Sequence, residues 1–134
     1  MRGSTVTESY YAHRGMDRAL KQLCSTKRFD VAIAFSSSMA NYALRVPARR
    51  RILDLCDCDS RKWLAYAESS SGPLGRVYRT EGERLQTKER RWARTFDATL
   101  LITQDETESL RPFVPADRLH VVGNGVLDPG IDSA

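Results

Sequence analysis

Five side chains within seven residues carry most of the chemistry this sequence offers: Asp57, Asp59, Ser60, Lys62 and Trp63, in the run D-C-D-S-R-K-W. They follow a short apolar stretch, Ile52, Leu53 and Leu55, of the kind that forms a strand. In an open α/β sheet ligands bind outside the carboxyl ends of the strands, which is where this cluster would lie. Carboxylates there can accept from a ligand's hydroxyls or orient a reacting group, Lys62 supplies a cation and Trp63 a flat apolar face. Three readings of the acids stand side by side. Asp57 and Asp59 can face a cleft; one can cap the next helix while the other is solvated; or Asp54, Asp57 and Asp59 can hold Mg²⁺.

A second polar group, Ser36-Ser37-Ser38, ends an earlier apolar run and can cap a helix or hold an anion at its amino terminus. No paired histidine points to a serine nucleophile, because His13 and His120 lie in separate segments. Cys24, Cys56 and Cys58 are an odd set in a chain without an export signal, which suits a reducing compartment. The spacing of Cys56 and Cys58 is wrong for a zinc knuckle, so no metal site is assigned.

The elements that must position these groups follow from periodicity. Tyr10 to Thr26 reads as a helix with Leu20 and Leu23 on one face. Phe29 to Phe35 is a continuous apolar strand, the pattern of a sheet covered on both faces. A short helix follows over Met39 to Leu44, then a strand over Arg51 to Leu55 and a helix through Ala67, capped by Asp59 or Ser60. Ser69 to Gly75 reads as an exposed loop. Arg76 to Arg94 is a long polar helix whose Tyr78, Leu85 and Trp92 recur every seven residues. Ala98 to Ile102 and Leu119 to Val122 complete four strands, separated by a helix that Thr103 or Asp105 caps and Pro112 ends. A turn at Gly123-Asn124-Gly125 needs a positive φ.

Strands alternating with helices imply a parallel sheet. A chain of 134 residues holds one such domain. No run approaches the roughly 20 apolar residues of a membrane span. The net charge of +4 favours an anionic partner without choosing among nucleotide, phospholipid and nucleic acid. Nucleic acid ranks last, for want of interleaved aromatic platforms. There is no Gly-rich turn after a first strand, hence neither a dinucleotide fingerprint nor a P-loop.

In this order the pieces resemble the second half of the amino-terminal domain of a two-domain (GT-B) glycosyltransferase. The resemblance is greatest to family-4-type sugar transferases of PEP-CTERM/exosortase-associated exopolysaccharide systems. It rests on Asp57-x-Asp59-Ser60-x-Lys62-Trp63-x-x-Tyr66-Ala67, Tyr78-Arg79-x-Glu81-Gly82-x-x-Leu85, Glu89, Phe96-Asp97-Ala98 and Asn124-Gly125-Val126. It implies an α/β, Rossmann-like parallel sheet with flanking helices, a partial amino-terminal domain over residues 10–127. Residues 1–9 would be a flexible, tag-like terminus and residues 128–134 the start of an interdomain linker.

The resemblance further implies sugar transfer from a nucleotide-sugar donor to an exopolysaccharide or lipid-linked acceptor. Asp57, Asp59, Ser60, Lys62, Ser36, Ser37, Asn124 and Gly125 would line the acceptor side of the cleft. The donor would sit on a missing carboxy-terminal domain, leaving this chain without a cofactor of its own and inactive alone. Arg76, Arg79, Lys88 and Arg91 would face an anionic membrane surface, although interleaved Glu81, Glu83 and Glu89 also read as ordinary helix-surface pairs. The expected location is cytoplasmic, peripheral at the inner membrane face. A sheet edge left open upstream would invite self-association. The rival reading is a stand-alone binding or regulatory module with an acidic, Mg²⁺-binding cluster.

Overall fold

The computed structural model describes residues 4–125. Four strands, β1 (Phe29–Phe35), β2 (Ala48–Cys56), β3 (Ala98–Leu101) and β4 (Leu119–Val121), form one parallel sheet in the order β1-β2-β3-β4. Six helices surround it: α1 (Val6–Tyr11), α2 (Arg14–Thr26), α3 (Ala40–Ala43), α4 (Asp59–Ser69), α5 (Gly72–Thr95) and α6 (Gln104–Leu110). This is the α/β, Rossmann-like arrangement that the alternation of elements implies. No described helix is long and apolar enough to cross a membrane.

The register explains the core. Ala34, Leu53, Thr99 and Leu119 are neighbours across the four strands and all are buried. Leu55 and Leu101 lie on the same side, and Leu85, Trp92, Ala93 and Phe96 complete the cluster. Of the seven-residue seam of α5, Leu85 and Trp92 join this core, while Tyr78 is half-buried against Trp63 and Tyr66 of α4. The opposite row, Ile33, Ile52 and Ala98, is only partly covered or exposed. At the amino end of β3, Asp97 accepts the Arg51 N–H (2.8 Å) and pins β3 to β2. That backbone bond, helped by Arg50, holds its carboxyl below the usual range.

Several expectations are corrected. Residues 4–9 are not a loose terminus. Thr5 is 1% exposed and starts α1 with a capping box, its hydroxyl accepting the Glu8 N–H while Glu8 accepts the Thr5 N–H. The helix expected over Tyr10 to Thr26 is two helices. His13 Nδ1 caps α2 by accepting from the Gly15 N–H (3.1 Å), and the Tyr42 hydroxyl accepts from His13 N and donates to Tyr11 O. Ser69 to Gly75 is no exposed loop. Ser69 ends α4, only Ser70 and Ser71 intervene, and α5 opens with Pro73 in its first turn. Gly75 is buried so close to Ser70 that a Cβ would stand 2.4 Å from its carbonyl oxygen.

The apolar run of β1 does not lie inside the sheet. Among the described residues it is the outermost strand, with Ile33 65% and Phe35 66% exposed. Gly123 and Gly125 have no left-handed φ and residues 122–125 form no regular element. Residues 1–3 and 126–134, including Val126 and the linker expected over 128–134, lie outside the described residues.

Candidate functional site

The carboxyl edge of the sheet is where the backbone departs from ordinary geometry. Ser36 (φ 69°) and Cys56 (φ 56°) are the non-glycine residues with a left-handed φ among those described, and they end the adjacent strands β1 and β2. Such conformations cost on the order of 1–3 kcal/mol for a residue with a Cβ. At Cys56, Asp54 Oδ1 secures the turn by accepting from both the backbone N–H (3.1 Å) and the thiol (3.3 Å). Burial and that carboxylate push the Cys56 thiol up to about 11, so it stays protonated and unreactive at neutral pH.

Beyond these turns opens a hollow of 430 Å³, lined by Ser36 and Ser38, by Asp59, Lys62 and Trp63 of α4, and by Val6, Thr7, Tyr10 and Tyr11 of α1. Asp59 is its acid. Ser37 Oγ donates to Asp59 Oδ2 (2.6 Å), and Lys62 Nζ lies 3.5 Å from Oδ1, leaving the carboxylate half-buried and facing the hollow. Ser36 and Ser38 share a hydrogen bond (2.6 Å) along the wall. Trp63 is backed by Tyr78 and Tyr66, whose ring centroids lie 5.6 and 6.3 Å away. That packing sets the indole's angle.

Neither Asp59 nor Ser60 caps α4 from the position expected. The helix begins at Asp59, after Cys58, and its first N–H groups are taken by carboxylates from elsewhere. Glu89 of α5 accepts from both Ser60 N and Ser60 Oγ, and Glu106 of α6 accepts from Cys58 N (2.9 Å). Both glutamates are buried, and Glu106 Oε2 has no partner. Burial drives the Glu89 carboxyl up to about 7, against the opposing pull of its two bonds from Ser60 and with help from nearby Asp59 and Glu106. Burial and the same two glutamates also raise the Cys58 thiol.

A third buried glutamate anchors α1. Glu81 accepts from Val6 N (2.8 Å), Thr7 N (2.9 Å) and Thr7 Oγ1 (3.1 Å). Lys88 pairs with Glu8 at 2.6 Å and Asn41 donates to Glu8 at 2.7 Å. Although burial pushes the Glu8 carboxyl up, these partners and the Thr5 N–H hold it below its ordinary value. Glu81 and Glu89 are thus not the helix-surface partners that their spacing among arginines suggests. They reach other helices.

The residues expected at the site divide accordingly. Asp59, Lys62 and Ser36 meet in the hollow, and Ser37 orients Asp59 from below. Ser60 is buried on Glu89, and Asp57 is exposed outside the lining. Asn124 and Gly125 are exposed beyond β4, which stands at the far edge from β1. Asp54, Asp57 and Asp59 do not converge; among the described residues no three acidic, Cys or His side chains gather as a metal site. Of the basic set, Arg76, Arg79 and Arg91 are exposed, whereas Lys88 is engaged by Glu8.

The α1 lining, Val6, Thr7, Tyr10 and Tyr11, was not expected, although Thr5-x-x-Glu8 is a legible helix start. The roles of Glu89 and Glu106 leave no signal in the local sequence. Comparison of the chain with protein-family models, curated proteins and solved structures finds no match.

Proposed function

We propose that this chain forms the acceptor side of a glycosyltransferase cleft, in a GT-B-like enzyme whose donor domain lies outside these residues. The observation that carries the reading is the hollow at the carboxyl edge of the sheet, where Asp59, Lys62, Ser36 and Trp63 converge under α1. A half-buried carboxylate flanked by a cation and hydroxyls suits a polyhydroxylated ligand, and an indole face suits the C–H side of a sugar ring. Several of the residues that carry the resemblance touch one another across α4 and α5. Ser60 binds Glu89, Trp63 stacks near Tyr78, and Gly82 lies where a Cβ would meet Leu64 at 2.8 Å.

Electrostatics favour an acceptor over a nucleotide diphosphate in this hollow. The helix amino termini that could bind phosphate are already neutralised, α1 by Glu81 and Glu8, and α4 by Glu89 and Glu106. Catalysis would rest on positioning the acceptor hydroxyl against a donor held elsewhere. Exposed Arg76, Arg79 and Arg91, with Leu74 and Val77 beside the first two on α5, give the chain a cationic face toward the anionic membrane surface that would carry a lipid-linked acceptor.

Titration with monosaccharides and with a polyprenyl-phosphate-linked sugar tests this by Trp63 fluorescence, with Trp63→Phe to assign the signal to Trp63 rather than buried Trp92. Saturable quenching that Asp59→Asn weakens at least tenfold is expected. A signal indifferent to Asp59→Asn overturns the site. The chain alone should hydrolyse or transfer no nucleotide-sugar, and turnover would contradict a donor site located elsewhere.

A further inference from the structure

Helix α1 is undercut by cavities. Helical spacing puts Val6, Thr7, Tyr10 and Tyr11 on one side of it, over the hollow that holds Asp59. The same spacing puts Glu8 and Ala12 on the other side, over a second recess of 450 Å³. A third recess, of 310 Å³, opens between Val6 and the α5 side chains Arg76, Val77, Thr80 and Arg84. These spaces adjoin. Ser38 lines the first and second and Val6 the first and third, so α1 itself is the partition between them.

A helix packed into a domain ordinarily buries an apolar stripe. α1 buries none of its residues, and among the described residues its footing is polar. At its amino end Glu81 accepts from Val6 N, Thr7 N and Thr7 Oγ1, and Glu8 takes Lys88 (2.6 Å) and Asn41 (2.7 Å). At its carboxyl end Tyr11 O accepts from the Tyr42 hydroxyl, whose oxygen also takes the His13 N–H. The two ends therefore differ. The carboxyl end runs into α2 through Ala12, whose extended backbone (φ −68°, ψ 114°) can serve as a pivot. The amino end is a latch of two carboxylates. Its release strands no charge, because Glu81 lines the third recess and Glu8 and Asn41 the second, where water can replace the lost partners. Asn41 stays in place meanwhile, accepting from Trp92 Nε1 (3.1 Å) in the core. A segment whose contacts exchange for water in this way opens far below the free energy of global unfolding.

We propose that α1 is a strap, which swings about Ala12 when Glu81 and Glu8 release it and joins the three recesses into one groove with Asp59, Lys62 and Trp63 at its middle. Closed, it confines a ligand to the hollow. Open, it gives the groove the length for an extended ligand of more than one ring. Its control of access to Asp59 rests on the hollow being the binding site proposed above; its motion does not.

The motion is tested without ligand, first on the wild-type chain. Amide exchange at Val6 and Thr7, the donors to Glu81, is expected to be insensitive to low concentrations of denaturant, as local opening is, while amides of β2 follow the global transition. Acrylamide quenching then reads access to Trp63, since Trp92 is 4% exposed and adds little. Glu81→Ala should raise that quenching about twofold or more, with the melting temperature of the domain nearly unchanged. If circular dichroism shows Glu81→Ala unfolded, Glu81→Gln, which keeps one acceptor, takes its place. Exchange of Val6 and Thr7 only through global unfolding overturns the strap, and so does Trp63 quenching that the Glu81 variant leaves unchanged. A chain that opens in this way yet binds no sugar supports the strap and rejects the acceptor reading.

Discussion

Helix α1 reaches the rest of the molecule without burying an apolar side chain, whereas α5 buries Leu85, Trp92 and Ala93 against the sheet. The roof of the hollow hangs on Glu81, on the Lys88–Glu8 pair and on Tyr42; its floor is part of the core. Polar bonds exchange readily with water and contribute about 1 kcal/mol each, while a buried leucine contributes several times that. The contrast assigns different duties. The floor holds Asp59, Lys62 and Trp63 still, and the roof can open without unfolding what lies beneath it.

Breaking the floor should have the largest effect. Leu85→Ala is expected to cost about 3–4 kcal/mol and to lower the melting temperature of the whole domain, read by circular dichroism. A loss confined to one helix would show that α5 is not part of the common core.

The next effect is set by pH, through the floor's buried carboxylate. Glu89 is raised from about 4.5 to about 7 in the folded state, so the folded protein holds a proton that the unfolded chain has released. Its stabilising share is complete below pH 4.5 and is lost as pH rises through 7, on the order of 3 kcal/mol. Glu89→Gln keeps an acceptor for Ser60 N and should flatten stability across that window in denaturant titrations. An unchanged slope would assign the titration to another group.

A smaller, local effect is expected in the roof. Glu81→Ala should free α1 alone, with amide exchange at Val6 and Thr7 rising about tenfold while the global unfolding midpoint moves little. A full drop in global stability would erase the distinction between roof and floor. Lys88→Ala comes last: loss of this largely buried ion pair should loosen α1 by about 1 kcal/mol, because Glu8 keeps its bonds from the Thr5 N–H and Asn41, and amide exchange in α1 reads it.

Much of the floor was legible beforehand. Leu85 and Trp92 of the seven-residue repeat identified the buried seam of α5, and the break from Leu55 into Asp57 and Asp59 located a strand end. Asp59, Lys62 and Ser36 followed from that placement. The roof was overlooked because a six-residue helix with exposed tyrosines shows too little periodicity to separate from a loose end. Glu81 and Glu89 misled for a different reason. A glutamate among arginines on a helix reads as a surface residue, and only the orphan N–H groups of a neighbouring helix give it cause to be buried.

The sequence by itself determined the alternation of strands and helices, the parallel sheet, the seam of α5 and the acidic turn after β2, because each depends on residue type and spacing along one segment. Only the tertiary structure decided that α1 covers the hollow, that Glu81, Glu89 and Glu106 hold the amino termini of other helices, and that β1 is the outermost of the described strands. Those outcomes depend on which unsatisfied backbone groups meet in space, and that is a property of packed pairs of elements and of no single segment.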